Sequence, residues 1–495
     1  MTKKKVSNKV SIIGSGFASL AAAITLADDR FDVTILEKNS SPGGRARVFQ
    51  AEGFTFDMGP SWYWMPDVFE DFFARFGKKI SDYYDLVRLD PSYTVFFGKD
   101  DSVQLPANMS EFEALFESLE SGSTIQLREF LKQAKHKYQV GMSEFVTKPS
   151  LKLTEFADKT ILSNVLYMDL FKSFSKHARK FFKNEKILQI IEFPVLFLGA
   201  TPENTPALYS LMNYADIALG TWYPMGGMHK IIEAMVSLAT ELGVKFEYNT
   251  EVLKIEVQDN KASKIMTNQG EFESDIFVAG ADYHHVETKL LAPELRNYDT
   301  KYWESRIMSP SSLIFYLGIN KRLKNLTHHN LFFDTDFPLH AKEIYETPIW
   351  PTQPLFYVSA PSQTDDSIAP EGCENIFILI PVAPDLDDNE ETREKYYNMV
   401  MDRLESLTEQ KIRESVIYKK SYAHNDFKND YHAFKGNAYG LANTLMQTAI
   451  FKPSIKNKKI DNLYYTGQLT VPGPGVPPSL ISGQVVADQI KKKYH

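Results

Sequence analysis

The residues best placed to do chemistry lie near the N-terminus. Gly14-Ser15-Gly16-Phe17-Ala18-Ser19 follows the β-branched run Val10-Ser11-Ile12-Ile13 and leads into an Ala-rich helical stretch, Leu20 to Ala27. A second apolar run, Val33-Thr34-Ile35-Leu36, ends on Glu37. Strand, glycine turn, helix, strand and acid is the order of a dinucleotide-binding unit. Gly14 permits the tight turn, and Gly16 lets the backbone approach a pyrophosphate. That anion would rest on the helix N-terminus, where free N–H groups and the helix dipole favour negative charge. Glu37 can accept hydrogen bonds from an adenosine ribose. An acid there favours a free 2′-hydroxyl, as in FAD or NAD, over a 2′-phosphate. Ser19 stands where a third glycine is usual. That glycine serves close helix–strand packing, and serine is small enough to keep the reading.

The fingerprint has a continuation. After Glu37 comes Lys38-Asn39-Ser40-Ser41-Pro42-Gly43-Gly44-Arg45-Ala46. Gly43-Gly44 allows close backbone approach, and Arg45 offers a fixed fork of donors suited to phosphate oxygens. NAD enzymes do not need this second glycine–arginine segment, whereas flavoproteins of the amine-oxidase-like group carry it. Phe54-Thr55-Phe56-Asp57-Met58-Gly59-Pro60-Ser61 is a turn segment of the kind that runs beside a flavin in that group. In this context the phosphate role for Arg45 outweighs the plain reading of a surface charge.

A competing reading takes Lys3, Lys4 and Lys5 followed by the uncharged stretch Val10 to Ala27 as a signal peptide or membrane span. The glycines inside it, its small residues and the strand–acid sequel at Glu37 favour the nucleotide unit.

Composition bounds the rest. The 495 residues allow two or three domains and a large core. Hydrophobic residues make up 43% and charged residues 24%, an ordinary globular balance. The net charge of −8 argues against nucleic acid as the main partner. Cys373 is the single cysteine, so there is no internal disulfide and no metal-spaced Cys/His set, and a reducing, cytoplasmic setting fits. The longest other apolar run, Ile187 to Ala200, is broken by Gln189, Glu192 and Pro194, so no segment qualifies as a transmembrane helix.

Element order suggests two interleaved domains. Acid/base-mixed helices such as Ser110 to Glu120 and Thr124 to Tyr138 follow the opening nucleotide unit. The loop Trp222-Tyr223-Pro224-Met225-Gly226-Gly227-Met228 feeds a helix from Ile231 to Leu242 that ends at Gly243. Val244 to Tyr248, Thr250 to Val257 and Asp275 to Asp282 read as strands returning to the nucleotide unit, and strand-like runs alternate with loops from about 300 to 420. Asn462 to Ile490, a strand, a glycine–proline loop and a helix, closes the nucleotide unit a third time.

Several further motifs bear on the family. They are Asp57-Met58-Gly59-Pro60-Ser61, Gly220-Thr221 with the Trp222 to Met228 loop, and His328-His329-Asn330. Downstream come Pro361-Ser362, Asp365 and Ala369-Pro370-Glu371-Gly372, then Asn462-Leu463-Tyr464-Tyr465-Thr466-Gly467 and Pro472-Gly473-Pro474-Gly475-Val476-Pro477. Together with the N-terminal fingerprint, these resemble the bacterial-type phytoene desaturases, flavin-dependent carotenoid desaturases, over nearly the whole chain. The resemblance implies an α/β fold: an FAD-binding Rossmann-like domain of the glutathione-reductase/amine-oxidase type interleaved with a mixed-sheet plus helical substrate domain. The first would take residues 1–95, 222–295 and 421–495. The second, membrane-facing, would take 96–221 and 296–420. FAD would be held by Gly14, Gly16, Ser19, Glu37 and Lys38, by Gly44, Arg45, Gly59, Pro60 and Ser61, and by Val252, Gly467, Gly475, Val476 and Pro477. One stretch departs from the family: Gln468-Leu469-Thr470-Val471 stands where small residues and a histidine before Pro-Gly are usual. The change bears on substrate choice or the ring environment rather than on flavin binding.

The activity implied is desaturation of 15-cis-phytoene to a conjugated carotene such as lycopene or neurosporene, with hydride passing from an allylic CH₂ to flavin N5. Electrons would then go to oxygen or a quinone, no metal would be needed, and the enzyme would collect its substrate from the inner face of the membrane. The family places an acid ahead of the helical region, and Glu155 in Leu151-Lys152-Leu153-Thr154-Glu155-Phe156 is the matching residue. Its alternative is a glutamate at a helix start. His328 and His329 read as surface or packing residues of a loop rather than bases. Phe171, Phe174, Phe181 and Phe182 interleave with Lys172, Lys176, Arg179, Lys180 and Lys183. That segment suits either an anionic membrane surface or a helix packed on its own core. Rival readings are a flavin amine oxidase, a retinol-saturase-like enzyme, and a desaturase of a C30 or modified carotenoid. A prenyl-binding escort without flavin chemistry need not keep the phosphate-binding residues that stand here.

Overall fold

The computed structural model describes residues 8–152, 155, 172–196 and 200–495. Five parallel strands form the first sheet, in the order Leu463–Tyr465, Ile276–Ala279, Lys9–Ile13, Asp32–Leu36, Lys245–Glu247. The chain therefore contributes to this sheet from its beginning, its middle and its end. The strand Ile276–Ala279 is buried along its whole length, as a parallel strand covered on both faces must be.

The helix Phe17–Asp28 covers one face and packs against the helices Val476–Tyr494 and His229–Glu241. Small residues set how close these pieces come. A Cβ on Gly483 would overlap the carbonyl of Ala18, and a Cβ on Gly280 would overlap the hydroxyl of Ser19. The second contact explains the missing third glycine of the fingerprint. Ser19 keeps its side chain because Gly280, at the end of the neighbouring strand, has none.

A second sheet of seven strands stands beside the first, in the order Val416–Tyr422, Ser311–Ile319, Glu374–Val382, Phe356–Ser359, His329–Phe332, Tyr93–Gly98, Asp101–Leu105. Its pairings are antiparallel except for His329–Phe332 with Tyr93–Gly98. The ribbon Val48–Ala51 with Phe54–Asp57 links the nucleotide unit to this sheet. It docks where the Phe54 ring lies over Gly318, which leaves no space for a Cβ. A three-stranded antiparallel sheet, Val252–Gln258, Lys261–Thr267 and Gly270–Glu273, flanks the nucleotide unit.

Helices Met109–Leu119, Ser123–Val140 and Glu185–Leu196 form the helical part. The aromatic–basic segment turns its rings inward. Phe174 is 0% and Phe182 1% exposed, and the Phe182 ring meets Phe116 and Phe130. Lys172, Lys176, Arg179, Lys180 and Lys183 stay exposed, while Phe171 lies outside the described residues. Among the described residues, no helix is long and apolar enough to cross a membrane.

Candidate active site

A cavity of about 390 Å³ lies between the two sheets, and every residue assigned above to the cofactor lines it. The fingerprint builds one end. Gly14 has φ +88°, a left-handed conformation that favours glycine, and its N–H donates to the Leu36 carbonyl at 2.8 Å. Gly16 caps the helix Phe17–Asp28 without any side-chain bond, so the first N–H groups of the helix face open space. Glu37 is 5% exposed. One carboxylate oxygen accepts the N–H and hydroxyl of Ser15 at 2.9 and 2.6 Å, and the other accepts the N–H and side-chain amide of Asn39 at 2.8 and 3.0 Å. The acid thus braces the glycine turn as well as facing the adenosine end. Lys38, Thr250, Glu251 and Val252 complete that end.

Gly43-Gly44 folds directly onto the fingerprint. The Gly43 N–H donates to the Ser15 carbonyl at 3.0 Å, and a Cβ on Gly44, with φ +55°, would touch the Gly16 Cα. This turn delivers Arg45 to the cavity wall. Its guanidinium donates through Nη2 to the Asn437 carbonyl at 3.2 Å and lies over the Tyr431 ring, while its Nε is buried without a partner. Burial lowers the Arg45 pKa from its ordinary value, and Asp282 opposes that. Asp282 is itself pushed up to about 6 by burial. A buried cation with a spare donor, on a wall with an open helix N-terminus, suits a phosphate.

A second open helix N-terminus faces the same cavity. Gly475, with φ +111°, caps Val476–Tyr494 with no side-chain bond, and Pro477 sits in the first turn, where its missing N–H costs nothing. The Gly467 N–H is held by the Ser482 hydroxyl at 3.1 Å. In the departing stretch, Gln468 and Leu469 line the cavity, and the Gln468 amide donates to Asn437 Oδ1 at 3.2 Å.

The motifs from the middle of the chain form a knot behind the turn Gly59-Pro60-Ser61. Asp57 accepts the N–H groups of Met228 and His229 at 2.7 and 2.9 Å, so it caps the helix His229–Glu241. Asp365 accepts the Gly226 N–H at 2.6 Å. A Cβ on Gly59 would stand 2.6 Å from the Arg45 carbonyl. Asp57, Gly226, Met228, His229 and Asp365 position the turn and do not line the main cavity.

At the far end the wall becomes apolar and aromatic: Trp62, Trp64, Met65, Met212, Ile314 and Leu379, with Ser61, Ser312, Tyr357 and Tyr439 among them. Sequence reading missed most of these. Trp62, Trp64 and Met65 directly follow Pro60-Ser61, a signal that could have been taken. His328 and His329 are buried, with His329 opening the strand His329–Phe332 instead of sitting in a loop. Nδ1 of His328 meets the Thr364 hydroxyl at 2.8 Å. Burial lowers His328 to about 3 and holds His329 well below its ordinary value, so both imidazoles are neutral. Glu155 does not line the cavity. Its carboxylate accepts the N–H groups of Ser150, Leu151 and Lys152 at 2.9 to 3.0 Å.

Comparison with known proteins decides the family. The flavin-containing amine oxidoreductase model matches residues 17–491. The chain belongs to that family. Among its relatives, a carotenoid 3,4-desaturase of Haloarcula japonica is 39% identical over 97% of each chain. A zeta-carotene-forming phytoene desaturase of Myxococcus xanthus is 30% identical, covering 100% of this chain and 96% of the relative. A 4,4′-diapophytoene desaturase of Staphylococcus aureus is 31% identical over 98% of this chain and 99% of its own. Within the family, then, this member groups with the carotenoid desaturases. An oxidoreductase from Methanosarcina mazei shares the fold with a TM-score of 0.63 at 16% identity, over 97% of this chain and 100% of that one. Putrescine oxidase does so at 0.61 and 12%, over 98% and 99%. This flavoenzyme's cofactor is FAD, and the spare Arg45 donor, the two uncapped helix N-termini and the glycine turns fit it.

Proposed function

We propose that this flavoenzyme desaturates a linear carotenoid. The observation that carries the reading is the run of full-length relatives named as carotenoid desaturases, the first at 39% identity. An apolar, aromatic wall at one end of the cofactor cavity supports it, because a hydrocarbon substrate offers nothing to hydrogen-bond. When bound, FAD supplies a hydride acceptor for an allylic CH₂. The chain does the remainder. Gly14, Gly16, Gly44, Arg45, Gly475 and Val476 would hold the phosphates and ring, and Glu37, Lys38 and Val252 the adenosine. Gly59-Pro60-Ser61 would border the ring, while Trp62, Trp64 and Met65 would orient the hydrocarbon and exclude water.

In this reading 15-cis-phytoene is the substrate and a conjugated carotene such as neurosporene or lycopene the product. A partly desaturated carotenoid is the second reading, favoured because the 3,4-desaturase is more similar than the phytoene desaturase. The nucleotide domain takes 1–95, 222–295 and 421–495, and the substrate domain the rest. Electrons leave to oxygen or a quinone. The insoluble substrate calls for peripheral contact with the inner face of the membrane, where the exposed lysines of residues 172–183 suit anionic lipid. Offering phytoene and a more unsaturated linear carotene together in liposomes, and following the loss of each by chromatography, separates the two readings. Preferential loss of phytoene supports the first, and preferential loss of the other supports the second.

A further inference from the structure

Hydride removal leaves a cation beside a C–H bond and is reversible until that bond's proton is lost, so it advances only as fast as the proton can leave a largely apolar cavity. Tyr357 is the group in the wall built to take it. Tyr357 lines the cavity, and its hydroxyl lies 2.6 Å from Nδ1 of His329. The strands explain the contact. In the antiparallel pair His329–Phe332 and Phe356–Ser359, Leu331 faces Tyr357 and His329 faces Ser359, so His329 and Tyr357 are diagonal neighbours on one face. His329 is 0% exposed, its ring stacks on Trp62 at 4.1 Å and 14°, and its Nε2 has no partner. Packing or strand register alone does not call for an imidazole at this position. A buried, neutral imidazole bonded to the hydroxyl of a cavity-lining tyrosine is an acceptor in reserve.

A place for the proton to go lies directly behind. A second cavity of about 30 Å³ shares Gly59, Pro60 and Ser61 with the first and is lined by Ser359, His328, Tyr223, Asn375 and Asp57. That is room for about one water with several polar partners.

We propose, on the desaturase reading above, that the Tyr357 hydroxyl, backed by Nδ1 of His329, receives the proton that the carotenoid loses. The C–H bond next to the cationic carbon breaks, and its electron pair becomes the new π bond. The proton bonds to Tyr357 Oη as the tyrosine's own proton passes to Nδ1. The result is an intact double bond, a neutral tyrosine and a protonated His329. Burial disfavours charge on His329, so the proton returns through Tyr357 toward the small cavity, which resets the pair.

The test is anaerobic flavin bleaching by carotenoid in liposomes, run in H₂O and D₂O on FAD-loaded wild type, Tyr357→Phe and His329→Asn. Wild-type bleaching reports on the desaturase reading, and the ratio of variant to wild type reports on the relay. Both variants should retain flavin, judged by visible absorbance and quenched fluorescence. The Phe variant should bleach at least roughly tenfold more slowly. The wild type should slow in D₂O, and that solvent effect should vanish in the Phe variant, which a merely structural hydroxyl would not cause. His329→Asn, which keeps a polar partner for Tyr357 but takes no proton, should also slow and provides the second reading should the Phe variant fold poorly. Wild-type rates in either variant, or an unchanged solvent effect in Tyr357→Phe, overturn the assignment.

Discussion

The two ends of the main cavity are built in opposite ways. The nucleotide end is made of backbone: glycine turns, helix N-termini and N–H groups, with Arg45 and Glu37 as its main charged side chains. The substrate end is made of side chains that arrive from separate strands, such as Ser312 and Ile314 on Ser311–Ile319, Tyr357 on Phe356–Ser359 and Leu379 on Glu374–Val382. A backbone site must be encoded by residues adjacent in the chain, because turn and helix start are local. A side-chain wall is encoded only through the pairing of distant strands. The first should therefore fail sharply on single substitutions, and the second should yield by degrees.

The largest expected effect is at the phosphates. Arg45→Met removes the spare buried donor and should weaken FAD binding roughly 10- to 100-fold, read by fluorescence titration of the apoprotein. Unchanged affinity would mean that side-chain charge is idle at this end. Gly59→Ala should come next. Its Cβ meets the Arg45 carbonyl at 2.6 Å, and the overpacking should cost about 1–3 kcal/mol, seen as flavin lost on gel filtration. Gly280→Ala should do similar damage through Ser19, and adding Ser19→Gly should restore part of it. Absence of that rescue would break the link drawn between the two residues.

Lys452, packed against Gly473 in the loop that leads to Gly475, offers a prediction in pH. It is 4% exposed, its Nζ has no partner, and burial alone lowers it from 10.5 to about 7. Between those values the unfolded chain holds a proton that the native state lacks, so this residue's contribution to stability rises with pH from about 7 to 10.5. Lys452→Met should therefore stabilise the apoprotein at pH 7 by an amount on the order of 1–3 kcal/mol. The gain should shrink toward pH 10, as followed by denaturant titration across that range. A variant less stable than wild type at pH 7 would show that the ammonium has a partner.

Glu155→Gln should change least. A carboxylate that caps three N–H groups contributes about 1 kcal/mol of local stability, and flavin bleaching by substrate should keep its rate. A collapse of that rate with flavin still bound would return Glu155 to the chemistry.

The same contrast decides how much was legible. Gly14, Glu37, Gly44 and Gly475 could be read because each stands in a short motif whose residue types name its backbone role. The Ser19–Gly280 fit could not, since the compensating residue lies on a strand that only folding brings alongside. Tyr357 gave no signal because an aromatic residue in the run Leu355 to Ala360 is what any buried strand contains. The phenylalanines of residues 174–182 show a different limit: helical spacing of aromatics is the same whether they face a bilayer or, as Phe174 and Phe182 do, the protein's own core.

The most direct test of the account is to mix FAD-loaded protein with a linear carotene in liposomes without oxygen. Flavin absorption and the polyene spectrum of the extract are then recorded together. The account predicts that the flavin bleaches in step with new long-wavelength polyene bands. Folded, flavin-bound protein that stays yellow with phytoene and with more unsaturated linear carotenes would contradict it.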